Sequence, residues 1–204
     1  MNLAADLANR RPATAGELAD RCRAAGLVLE SPVTREDLDR LHAVLDEWEK
    51  VVDASGEHER AELVNRMLAA SAAYPRMTDH AGGGWHLHYR DHGQPLGSVL
   101  FSLFSVGTAL HLAGRGMHRL RRCAVTECDL IFADTSRTGR QRYCSPRCAN
   151  RDAVRRTAPA AAGERRPPSR ATPFVVYVQY VALCGVRACS LMSRDSTPTV
   201  RNPR

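Results

Sequence analysis

The chain has 204 residues, 44% of them hydrophobic and 25% charged, with a formal charge of +7. That is enough for one medium domain and a small module. No cationic leader with an apolar core and a cleavage site opens the sequence, so export is not expected, and seven cysteines, four of them at metal spacing, suit a reducing cytoplasm rather than a disulfide scaffold.

The charge is unevenly spread. Residues 1–114 carry eleven bases and sixteen acids, a formal −5, whereas residues 115–170 carry fourteen arginines against five acids, a formal +9. The tail, 171–204, has four bases and one acid. An acidic front domain therefore precedes a basic module. Only Lys50 is a lysine, against twenty-eight arginines, which reads as coding composition and weakens any argument from arginine choice alone.

In chain order, Thr14-Ala-Gly-Glu17 is a capping box that opens a helix through Leu18, Cys22 and Ala25, with a stop at Gly26. Cys22 falls on its apolar face and reads as core. Thr34 with Asp37 starts the clearest helix, where Leu38, Leu41, Leu45, Trp48 and Val52 form a stripe at steps of three and four. Trp48 reads as a core anchor rather than a stacking platform. Glu57 to Ala70 continues as a second amphipathic helix through Ala61, Val64 and Leu68.

From Tyr74 the period changes. Gly82-Gly-Gly84 reads as a turn, followed by a strand in which Trp85, Leu87 and Tyr89 alternate with His86, His88 and Arg90. The default for the histidine face is solvent; a hydrolase built on His86 and His88 ranks well behind, because two ligands make no metal site. Pro95 to Ala113 is a long apolar segment expected to be a buried helix, and Gly114-Arg-Gly116 marks the boundary with the next module. No nucleophile, base and oxyanion donor assemble anywhere, so no enzyme is expected.

The next stretch organises the chain. Cys123 and Cys128, then Cys144 and Cys148, bracket fifteen residues. Two cysteine pairs with two to four residues between partners are the layout of a closed tetrahedral zinc site, and four thiolates leave no open position for catalysis. Between the pairs, Leu130-Ile-Phe132 and Gln141-Arg-Tyr143 are expected to form a β-hairpin turning at Thr138-Gly139. Ser145 is placed to cap a helix with Pro146 at its first position and Cys148 in its first turn.

On that helix Arg147, Arg151 and Arg155 recur every four residues and drift only about 40° per step, with Arg156 beside them. Zinc with four thiolates subtracts two from the +9 of residues 115–170, leaving +7. One account of the arginines is that Arg121, Arg122, Arg142 and Arg147 neutralise the zinc-thiolate centre. The excess that survives favours nucleic acid as partner.

Residues Leu120 to Arg156 resemble the CGNR zinc finger of bacterial regulators. The signature stands here as Cys148-Ala149-Asn150-Arg151, with alanine for the glycine of the family name and Tyr143 where a tryptophan is commoner. The front domain resembles, more loosely, the α-rich domain coupled to such fingers in stress-induced transcription regulators. The resemblance implies one structural Zn2+ and a preference for double-stranded DNA over RNA. It also implies a front domain that senses a small-molecule or protein effector or mediates self-association.

The expected organisation is thus a mainly α domain with a small β element over 1–114 and a treble-clef-like four-cysteine zinc finger, hairpin plus helix, over 117–158. A flexible basic linker and atypical extension follow over 159–204. Arg137, Arg140, Arg142, Arg147, Arg151, Arg155 and Arg156 are the candidate phosphate contacts, and Asn150 is a candidate for an adenine edge or for a hydrogen bond within the fold. The alternative is a zinc-stabilised docking module for other proteins. The apolar run Phe174–Val186 is too short to cross a membrane, and Cys184 and Cys189, with no second pair after them, read as free thiols.

Overall fold

In a computed structural model of the chain, residues 2–79 and 84–157 are described. The expectations for the triglycine turn, apart from Gly84, and for the linker, the run Phe174–Val186, Cys184 and Cys189 lie outside them. Four helices come first: α1 (Asn2–Asn9), α2 (Ala15–Ala24), α3 (Arg35–Asp53) and α4 (Glu57–Ser71). A short antiparallel pair, β1 (Arg76–Thr78) and β2 (His86–His88), leads to the long helix α5 (Leu96–Arg115). A 3-10 turn (Met117–Arg119) then feeds β3 (Leu120–Arg122) and β4 (Ile131–Ala133), antiparallel to each other, before α6 (Pro146–Thr157).

Helix α3 forms where its sequence says it should. Thr34 Oγ1 accepts from the Asp37 N–H at 3.2 Å and Asp37 Oδ2 accepts from the Thr34 N–H at 2.9 Å, a complete capping box. Its stripe is buried throughout, with Leu41, Leu45 and Trp48 fully so. Trp48 lies in the core and donates its indole N–H to Thr108 Oγ1 on α5 at 2.8 Å, so its one polar atom is satisfied. Asp37 also accepts from the Gly97 N–H at 2.9 Å, tying the start of α3 to the first turn of α5. A side chain at 97 would strike Arg40 and the backbone of Asp37, so that close approach needs glycine.

Helix α4 buries Leu63, Val64 and Met67, leaving Ala61 and Leu68 only half-buried, a rotation of the face expected from periodicity. The rotation fits its polar seam to α5, where Ser71 Oγ meets Ser105 Oγ at 2.9 Å. Arg60 closes the end of α3. Its guanidinium donates to the carbonyls of Val51 at 2.9 Å and Val52 at 3.0 Å, which have no helical partner there, and also to Met117.

The second strand pair joins this core rather than standing apart from it. Leu120 of β3 and Ile131 of β4 belong to the same buried cluster as Leu7, Leu41 and Trp48. Helix α1, which the sequence left unassigned, supplies the junction. The side-chain amide of Asn9 donates to the Ile131 carbonyl at 2.8 Å and accepts from the Ile131 N–H at 2.7 Å, as a neighbouring strand would.

Two expectations are corrected. The partner of Ile131–Ala133 is Leu120–Arg122, before the first cysteine, not Gln141–Tyr143, which has no strand structure. The physical reason is Asp134, fully buried. Its carboxylate accepts from the Ser136 N–H at 2.9 Å, the Ser136 hydroxyl, and the Gln141 N–H at 3.1 Å, winding residues 134–141 into a loop in place of a hairpin turn. The second concerns the first strand pair: His86 and His88 are half-buried, while Trp85 (71% exposed), Leu87 and Met77 face water.

Candidate metal centre and basic surface

The four cysteines sit on two short stretches that the fold brings together. Cys123 follows β3 directly, and its N–H donates to the Leu130 carbonyl at 2.9 Å. The N–H of Cys128 donates to the Val125 carbonyl at 2.9 Å, closing the knuckle over Val125, which is buried between the cysteines. From the other side, the Ala124 N–H donates to the Arg142 carbonyl at 2.9 Å. Ser145 caps α6 as expected, its Oγ accepting from the Cys148 N–H at 3.3 Å.

The sulfurs converge. All four lie within 4.8 Å of one another, with Cys128–Cys144 at 3.7 Å, Cys144–Cys148 at 3.6 Å and Cys148–Cys128 at 3.7 Å. A tetrahedron with Zn–S bonds of about 2.3 Å has edges of about 3.8 Å, so three of these spacings already match it. Cys123 and Cys148 are buried, Cys128 and Cys144 half-buried. Thiolate chemistry, spacing and burial therefore fit one structural zinc ion. Among the described residues this is the only cluster of histidine, cysteine or acidic side chains with metal-binding geometry.

Backbone and side-chain donors surround the sulfurs, as negative charge there requires. The Cys144 N–H approaches Cys123 Sγ at 3.5 Å, and Arg151 Nη2 lies 3.9 Å from Cys148 Sγ. Without metal, the Ser145 hydroxyl pulls the Cys148 thiol down to about 7, whereas burial pushes Cys144 up to about 12. Metal binding displaces those protons, so affinity falls as pH falls.

The arginines divide into two groups. Arg122 does not serve the sulfur centre: it grips α3, with Nε 2.7 Å from Asp53 Oδ1 and Nη2 3.2 Å from Glu49 Oε2. These carboxylates raise its already high pKa. Glu49 also receives Arg11 at 2.7 Å, so one acid of α3 is shared by the chain before α2 and by the finger. Arg119 lies against the Asp134 loop, donating to the Ser136 carbonyl. On α6, Arg155 pairs with Glu127 at 2.7 Å and Arg156 with Asp152 at 3.1 Å, while Tyr143 donates its hydroxyl to Asp152.

The second group faces water. Arg137, Arg140, Arg142 and Arg147 are exposed, and none has a carboxylate within 4.0 Å among the described residues. Asn150 is exposed as well. Arg137 and Arg140 lie on the loop organised by Asp134, Arg142 follows it with its carbonyl on the Ala124 N–H, and Arg147 opens α6.

Sequence reasoning missed Asn9, Arg60 and Asp134. Asp134 carried a signal in Asp-Thr-Ser, an acid two residues before a serine, as in an Asx-turn. Asn9 and Arg60 carried none: the partner of Asn9 lies 122 residues on, and the carbonyls that Arg60 holds are open only because α3 ends at Asp53.

A helical domain whose core admits the strands of a four-cysteine finger is the arrangement of a zinc-finger regulator. Residues 2–123 match the family ABATE, described as "Putative stress-induced transcription regulator", and residues 119–158 match the CGNR zinc finger. The first match spans more than half of the chain, and the chain belongs to the ABATE family. No curated protein matches it.

Proposed function

We propose that the protein is a non-enzymatic, cytoplasmic transcription regulator that binds double-stranded DNA through its zinc finger. The observation that carries the reading is the set of four exposed arginines, Arg137, Arg140, Arg142 and Arg147, without carboxylate partners among the described residues. Over residues 119–157 ten arginines stand against four acids, a formal +6, and the zinc-thiolate centre lowers this to +4. Outward guanidiniums on a rigid module suit contact with phosphates.

In this reading zinc fixes the knuckle and the start of α6, the Asp134 loop presents Arg137 and Arg140, the segment bonded to the knuckle presents Arg142, and α6 presents Arg147 with Asn150 and Arg151. Arg155 and Arg156 are held in exposed ion pairs worth little in water, so a phosphate competes for them readily. The front domain holds the finger's strands and carries the effector function.

The test is electrophoretic mobility shift of zinc-loaded protein with mixed-sequence duplex DNA and with RNA, between 50 and 200 mM salt. Binding to DNA that weakens by about tenfold or more across that range is expected. Indifference to both nucleic acids overturns the reading in favour of a protein-docking module.

A further inference from the structure

Helix α5 has two apolar faces. One is the core face of Leu100, Phe101, Phe104 and Leu112. The other carries Leu96, Val99, Leu103, Val106 and Leu110 at steps of three, four, three and four, and all five line a cavity of about 840 Å3. The chain from Gly26 to Pro32 walls one side of this groove and His86–Arg90 the other. From Leu96 to Leu110 the apolar floor runs about 21 Å.

A soluble fold buries such a stripe unless something else covers it. Here Leu110 is 62% exposed, Leu103 46% and Val28 63%, all around one concavity. The volume lies within the range of small-molecule sites, which combine an apolar lining with a few placed polar groups.

The polar groups define the ligand's head. Among the described residues Arg90 is the only lysine or arginine lining the groove; its side chain is 15% exposed, and the nearest carboxylate, Glu30 Oε1, is 3.6 Å away on a half-exposed side chain. Asp37 is occupied by Thr34 and Gly97. Glu36 is exposed at the rim. The Gly84 carbonyl can only accept, so His86 donates to it from Nδ1 at 2.7 Å, and its Nε2 lies 3.1 Å from His88 Nε2. The imidazoles thus face each other and the backbone, and Arg90 is the guanidinium beside a long aliphatic floor.

We infer that this groove binds an elongated aliphatic monocarboxylate, its chain along Leu96–Leu110 and its carboxylate on Arg90 in place of the long contact to Glu30. The site lies away from the cysteines, and the inference holds whether or not the finger binds DNA.

The experiment is calorimetric titration of the full-length, zinc-loaded protein with three probes sharing one ten-carbon chain: decanoate, decanol and decyltrimethylammonium. Decanoate is expected to bind roughly tenfold or more tighter than the cationic probe, the tenfold being about 1.4 kcal/mol, with decanol between. Arg90→Gln removes the ranking while retaining chain binding, and Leu103→Asn, at a half-exposed position, weakens all three. Circular dichroism melts establish that both variants fold; if Leu103→Asn does not, Leu110→Asn replaces it. No binding of any probe by the wild-type protein overturns the inference, as does a ranking that Arg90→Gln leaves intact. A wild-type mass of twice the chain by light scattering, returned to one chain by Leu103→Asn, assigns the groove to a second copy and overturns it too.

Discussion

Asn9 and Ile131 are 122 residues apart in sequence, yet the side-chain amide of one forms both hydrogen bonds with the backbone of the other, at 2.8 and 2.7 Å. The end of α1 thereby acts as an extra strand on the free edge of β4. Asn9→Ala leaves the N–H and C=O of a buried residue to find water. Because Asn9 itself is exposed, the expected loss is about 1–2 kcal/mol, read as a lower midpoint in chemical denaturation with unchanged slope. Asn9→Asp keeps the acceptor but not the donor and is expected to recover only part of it.

Elemental analysis of the purified protein is expected to give one zinc per chain. Cys144→Ser removes a ligand in close contact with two of the other sulfurs and is expected to abolish stoichiometric zinc. Metal affinity in such fingers is folding free energy, roughly 10 kcal/mol or more in isolated peptides. Hydrogen exchange should therefore lose protection across the knuckle and α6, while α3 and α5 retain theirs.

Asp134 makes the finger acid-sensitive. Burial alone would push its carboxyl up, but the Ser136 hydroxyl and N–H, the Gln141 N–H and Arg119 outweigh it and hold the group below its usual value. A depressed folded pKa means stability that is present above the unfolded value of about 3.9 and lost as pH falls through the folded value. Thermal melts between pH 6 and pH 3 are expected to show a decline beginning near pH 4. Asp134→Asn lowers stability at pH 6 and flattens that part of the decline attributable to this group.

Gly139 sits at φ 67°, and a Cβ there would lie 2.5 Å from the Arg119 guanidinium, which is itself held by the Ser136 and Arg115 carbonyls. Gly139→Ala carries both the left-handed backbone cost and the displacement of Arg119. A loss of about 1–2 kcal/mol is expected in denaturant titration, with zinc content unchanged.

Neutralising Arg137, Arg140 and Arg147 together removes three phosphate contacts under the proposed function. The slope of log K against log salt for duplex DNA is expected to shrink by about 2.7. Arg155→Ala with Arg156→Ala, which start from ion pairs, is expected to change it less. Equal slopes for wild type and triple variant would remove these arginines from the interface.

How much of this was legible depended on the range of the interaction. The capping box at Thr34, the stripe through Trp48, the cap at Ser145 and the four cysteines all signal within a few residues, and each stands where the sequence puts it. The partner of β4 was not legible. Leu120-Arg-Arg122 offers one apolar residue in three, and only its burial beside Ile131 makes it a strand. The histidine strand was read with the wrong side to solvent, because alternation gives two faces but not which one the groove of α5 will take. Ion pairing of Arg122 and Arg155 was equally hidden: their acids, Asp53 and Glu127, lie 69 and 28 positions away.

The shared core around Leu120 and Ile131 has an evolutionary corollary. The finger is not a bead that can be shuffled onto another carrier, because its strands complete the hydrophobic interior of the helices and one acid of α3, Glu49, receives Arg122 from it. Exchanging only one half would leave Leu120 and Ile131 without the helical side chains they pack on, and Glu49 without Arg122.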